Sequence, residues 1–171
     1  IIIAYSNQSS SDYGTAIVGT VSGTSISFGT AVVYSSGFGY NNSAIFDSTN
    51  NKVVIAYAAV DASYYGRARV GTVSGTSISF GTEVVFNSAN TLSQIGSTFD
   101  SNANKVVLAY RDTGNSDYGT AIVGTVSGTS ISFGAEAVFE SASTTYISSA
   151  FDSNANKVVI AYRDVGNADG I

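Results

Sequence analysis

An eleven-residue string, GTVSGTSISFG, occurs three times without a change, at 19–29, 71–81 and 124–134. A second string, Asn-Lys-Val-Val followed by Ile or Leu and then Ala-Tyr, recurs at 51–57, 104–110 and 156–162, and a shortened form, Ile-Ile-Ile-Ala-Tyr, occupies 1–5. A Phe-Asp pair marks each copy at Phe46-Asp47, Phe99-Asp100 and Phe151-Asp152, spaced by 53 and 52 residues. This fixed period constrains the fold more than any other feature of the chain. It implies stacked supersecondary units, none of which buries its apolar face alone. The units run over 1–42 (lacking its first strand), 43–94, 95–145 and 146–171 (two strands only).

Val, Ile, Thr, Tyr and Phe dominate each unit, and no 3.6-residue apolar period occurs, so the chain reads as all-β. Each unit divides into four strands, named a to d. Strand a is Tyr146–Phe151, and it ends in the turn Asp152-Ser-Asn-Ala-Asn156, whose short polar side chains bond their own backbone. Strand b is Lys157–Tyr162. Loop b–c is Arg111–Asp117, strand c is Tyr118–Val126, and Ser127-Gly128 forms a hairpin turn. Strand d is Thr129–Phe139, and Glu140–Thr145 forms loop d–a.

Strand b carries the architectural information. Its run Val-Val-Ile-Ala-Tyr is apolar at consecutive positions. A strand with one wet face alternates, whereas a continuous run implies burial on both faces. Four-stranded antiparallel meanders stacked face to face about an axis meet that demand, which predicts a β-propeller. The unit resembles the blades of kelch and sialidase-like propellers in its order: an inner strand, an apolar second strand ending in a polar loop, and two outer strands. It departs from both in detail. Arg111-Asp112 and Arg163-Asp164 stand where kelch blades carry two glycines, and no sialidase Asp-box occurs. A β-trefoil is the alternative threefold architecture, although its repeats are shorter and its inner strands alternate.

The strands number thirteen, which is three blades and one strand more. Propellers close with roughly four to eight blades. The expected partner is therefore the chain itself, joined head to tail. Two copies would close a ring through blades that take strands a and b from one chain and c and d from the other, and contacts that do not close would give a filament.

Net charge is −5 and only seven residues are basic, without clustering, which argues against nucleic acid. No apolar run reaches membrane-spanning length. The chain has no Cys and no His, so the commonest metal ligands and general base are missing. Asp47, Asp100 and Asp152 are copied with the repeat, which fits turn stabilisation better than catalysis. The expectation is no enzyme and no cofactor. Asp112, Asn115 and Asp117 are oxygen donors within six residues, but they lack the alternating spacing of a calcium loop.

In such a meander, loops b–c and d–a share one rim. Loop b–c holds Arg111, Asp112, Asn115, Asp117 and Tyr118 in one unit and Arg163, Asp164 and Asn167 in the last, and Tyr146 follows loop d–a. Guanidinium, carboxylate and amide groups bond sugar hydroxyls, and an aromatic ring stacks on the apolar sugar face. The mixture resembles the sites of fucose-binding propeller lectins, which implies a multivalent glycan-binding module acting through loops b–c and d–a. The repeats are also similar to those of phage tail and bacterial surface proteins, which implies an extracellular or virion-surface location. The alternative function is purely structural, as a subunit of a ring or fibre.

Overall fold

The computed structural model describes residues 1–60, 64–91 and 94–166. The β-branched and aromatic runs form strands almost throughout, and the chain is all-β and antiparallel. The first unit contains β1 (Ile2–Asn7), β2 (Tyr13–Ser22), β3 (Ser25–Phe28) and the first half of β4 (Val32–Asp47). The second contains the rest of β4, then β5 (Lys52–Ala59), β6 (Tyr65–Ser74), β7 (Ser77–Phe80) and β8 (Val84–Asn90). The third contains β9 (Gly96–Asp100), β10 (Lys105–Asp112), β11 (Tyr118–Ser127), β12 (Ser130–Phe133) and the first half of β13 (Ala137–Asp152), whose second half pairs with β14 (Lys157–Asp164).

Within each unit the expected meander forms: β9 pairs with β10, β10 with β11, and β11 with both β12 and β13. Two expectations are corrected. Strand d is not continuous, because each copy breaks at the segment that follows the hairpin, as between β12 and β13. Glu140–Thr145 is not a loop; it lies inside the sixteen-residue β13, and β4 bridges the first junction in the same way. Three breaks and two mergers turn thirteen expected strands into fourteen among the described residues. The long strands hydrogen-bond to the sheets on either side, so that pairing continues into one eight-stranded and one six-stranded sheet, strongly curled.

The turns follow the sequence closely. The carboxylates of Asp47, Asp100 and Asp152 each accept two backbone N–H bonds from the residues two and three positions on. Asn51, Asn104 and Asn156 close those turns in the left-handed region. The hairpin turn sits one residue later than expected, at Gly128-Thr129, with Ser127 paired to Ser130 and Gly128 at φ +61. Glycine is required there because the turn needs positive φ in its first position.

Strand b is buried on both faces wherever a sheet lies on each side. On β5, Val53, Ile55, Tyr57 and Ala59 pack against the first unit, and Val54 and Ala56 against the third. β14 has the same Lys-Val-Val-Ile-Ala-Tyr sequence but is covered on one side only, and its burial alternates. Val54 is 0% exposed, and its counterpart Val159 is 55% exposed. Neighbouring sheets, not the strand's own sequence, set its burial.

One contact recurs at each junction. An aromatic ring on strand d packs against the Tyr of the next unit's strand b: Tyr34 on Tyr57, Phe86 on Tyr110 and Phe139 on Tyr162, with ring centroids 5.0, 5.1 and 5.0 Å apart. In the first two junctions the next unit's hairpin adds a third ring, Phe80 or Phe133. Each strand-d ring lies over a glycine of its own sheet, Gly14, Gly66 or Gly119, where a Cβ would run into it. Farther out, the backbone carbonyls of Thr76 and Thr129 in the hairpin turns press on Gly29 and Gly81 of the preceding unit.

Gly81→Ala should therefore cost about 3 kcal/mol or more, since the clash is with backbone. Gly134→Ala, at the equivalent place with open space around it in the single chain, should leave the melting temperature of the dispersed chain unchanged. Equal melts for the two variants would contradict this packing. The tyrosines give a second test. Burial raises the Tyr34 hydroxyl above its ordinary range, and burial followed by hydrogen bonding to Glu83 and Glu136 raises Tyr57 and Tyr110. Folding then favours the neutral phenols, so their contribution is intact below pH of about 10 and is lost as pH rises beyond it. An ultraviolet titration should show Tyr34, Tyr57 and Tyr110 ionising only as the protein unfolds.

Candidate functional site

Asn41, Gln94 and Tyr146 occupy the same register position in successive units, and all three line one open cavity of about 480 Å³ together with Arg111, Thr145, Arg163 and Val165. Arg111 and Arg163 are also equivalent, each following the Tyr of strand b. Corresponding residues of three units thus meet at one place, at the rim where strand b ends and strand a begins.

β-Bulges aim two of the cavity residues. On β4 the partners step from Tyr40 to Ser43 while β5 steps from Ala58 to Ala56, and the extra residue, Asn41, is at φ +52. On β13 the step is from Thr145 to Ser148, and the extra residue, Tyr146, is at φ +53. A bulge re-aims a side chain, and positive φ is costly for an aromatic residue. Tyr146 is largely exposed despite this strain. The tight approach of Gly96 to the Ser148 backbone brings β9 and β13 together below the rim.

Among the described residues the cavity is lined by two guanidiniums and no carboxylate, although the Asp117 carboxylate stands beside one of them. Asp117 lies 3.5 Å from Arg111 Nε, close enough for attraction but without a hydrogen bond. Arg111 Nε and Thr145 Oγ1 are both buried and lack a hydrogen-bond partner.

The structure brings Arg111, Arg163 and Tyr146 together, keeps Asp117 beside Arg111, and turns Asp112, Asn115, Tyr118 and Asp164 to other places. Asp112 is buried and accepts hydrogen bonds from Gly114 N–H at 2.9 Å and from the Asn87 amide at 3.0 Å. It caps a single 3₁₀ turn, Thr113–Asn115, and ties the third unit to the second. Asp164 is likewise buried and accepts from Gly166 N–H. Asn115 is exposed at the end of the 3₁₀ turn, and Tyr118 opens β11 away from the cavity. Asn167 lies outside the described residues. Among the described residues, no group of three or more carboxylate, His or Cys side chains could hold a metal ion. No described helix is long and apolar enough to cross a membrane. Asn41 and Gln94 were missed, although aligning the units on Phe-Asp places both opposite Tyr146.

No protein-family model, no curated protein and no solved structure matches this chain.

Asp112→Ala should destabilise the protein by about 1–3 kcal/mol, because it leaves the buried Asn87 amide unpaired and removes a cap. Asp112→Asn, which keeps an acceptor oxygen, should cost less. If chemical denaturation shows both variants as stable as the parent, the scaffold role is wrong.

Proposed function

We propose that the chain forms an arc of propeller blades and acts as a non-enzymatic binding module that takes an acidic sugar of a glycan into its axial cavity. The observation that carries this reading is the convergence of Arg111, Arg163 and the strained Tyr146 on one cavity whose described lining holds no carboxylate. A planar guanidinium binds a carboxylate with paired hydrogen bonds. The amides of Asn41 and Gln94 suit hydroxyls, and the Tyr146 ring suits the apolar face of a pyranose. The volume is in the range of small-ligand sites. The blade architecture is supported over the trefoil by β5, buried between two sheets. Unlike a site between every pair of blades, this one forms once per arc, since Ser6 and Ala58 replace the arginine in the first two units. A role at an extracellular or virion surface follows from the choice of ligand.

A glycan array spanning neutral, uronic and sialic acid sugars tests the reading. Binding to acidic sugars is expected, weakened roughly tenfold or more by Arg111→Ala or by Arg163→Ala, as for hydrogen bonds to charged groups. Absence of binding to any glycan by the parent chain would sink the proposal. Equal binding of neutral and acidic sugars would remove the anion preference alone.

A further inference from the structure

The string GTVSGTSISFG has the same sequence in three units but not the same surroundings. In the second and third units its isoleucine is covered by the preceding unit, with Ile78 4% and Ile131 3% exposed. In the first unit Ile26 is 44% and Phe28 49% exposed. The rest of that face is apolar as well: Ile3 and Val33 are exposed, and Ile17 lies opposite Ile3 across β1 and β2.

The matching receptor surface is open on the third unit. Gly29 and Gly81 each receive the carbonyl of the next unit's hairpin threonine, whereas a Cβ on Gly134 would have only the Val123 carbonyl oxygen within 4 Å. Tyr34 and Phe86 each touch the next unit's hairpin phenylalanine, whereas the ring contact of Phe139 is with Tyr162 alone. Val123 is exposed, although its counterpart Val70 is fully buried.

We infer that a second copy of this chain docks here, seating its β2–β3 hairpin on the open face of the third unit. The occupant is a second copy because the chain carries both halves of an interface that it already forms twice internally. Phe28 of the incoming copy completes the ring trio with Phe139 and Tyr162, and its Thr24 sits over Gly134. β14 takes the place of β1 beside the incoming β2, since Val158-Val159-Ile160-Ala161-Tyr162 matches Ile1-Ile2-Ile3-Ala4-Tyr5. The carboxylates fit this exchange. Tyr57 and Tyr110 bond Glu83 and Glu136 of their own units, but the first unit has Ala31 at that position, and Tyr162 donates instead to Glu140. The face offered is also of the right kind, because Thr15 and Ile17 match Thr120 and Ile122 of the apolar second junction rather than Arg67 and Arg69 of the first. Two copies that close give a discrete dimer, and copies that do not close give a filament.

Sedimentation velocity across a concentration series tests this. Association of the parent chain is expected, and it should be abolished by Gly134→Val and by Phe28→Asp. Gly134 has open space around it and Phe28 is 49% exposed in the single chain, so at dilutions where the parent is dispersed both variants should keep its circular dichroism and melting curve. The chain has no cysteine, so a variant with Ile17→Cys and Ile160→Cys reports the strand exchange through disulfide-linked dimers on a non-reducing gel. A parent chain that stays monomeric, or assembly that survives both substitutions, would overturn the docking. Assembly without the cross-link would overturn the exchange of β14 for β1.

Discussion

An aromatic ring held between a glycine of its own sheet and a tyrosine of the next is the contact on which the remaining structure depends. No single unit has an interior, because four strands make one layer. The interior exists only between layers, and the strand-d ring is its largest recurring piece. Burial of each such ring contributes about 1.5–3 kcal/mol, and its packing against the neighbouring tyrosine adds about 0.5–1.5 kcal/mol. The glycine beneath it sets the depth of insertion, and the tyrosine hydroxyl then needs an acceptor, which Glu83, Glu136 or Glu140 supplies. Stability is thus a sum of junctions rather than a property of one core.

This dependence explains which parts of the fold were legible in the sequence. The apolar b run announced burial on both faces, and β5 and β10 show it. The Asp-x-x-x-Asn turns and the glycine hairpins were legible because their chemistry is local. The d–a junctions were not. Glu140–Thr145 is polar and reads as a loop, yet a bulge at Tyr146 absorbs the surplus residue and lets β13 run on. A bulge is a property of two paired strands, so its position depends on a partner that the segment's own sequence does not reveal.

The site was legible by half for a related reason. Arg111 and Arg163 stood out because they interrupt a copied apolar strand. Asp112 and Asp164 stood out equally, but consecutive residues of a strand face opposite ways. The arginines therefore reach the cavity while the aspartates turn back to cap their own turns. Asn41 and Gln94 drew no notice as amides in polar segments. Only their shared register with Tyr146 gives them meaning, and that register becomes visible once the folded units bring the three positions to one cavity.

Near-identical units raise a problem of order, since any front face could dock on any back face. The variable residues at the junctions resolve it. At the first junction Ser35 stands where the second has Asn87 and the third has Glu140, and these positions lie opposite Ala59, Asp112 and Asp164. Asn87 set against Ala59 would bury an amide without its acceptor, a cost of about 1–3 kcal/mol. The back face of the second unit adds Arg67 and Arg69, both held by Glu83, where the third unit has Thr120 and Ile122. Copied residues therefore supply the attraction between layers. The few uncopied ones make each layer fit one neighbour better than the others, and at the rim they form the cavity.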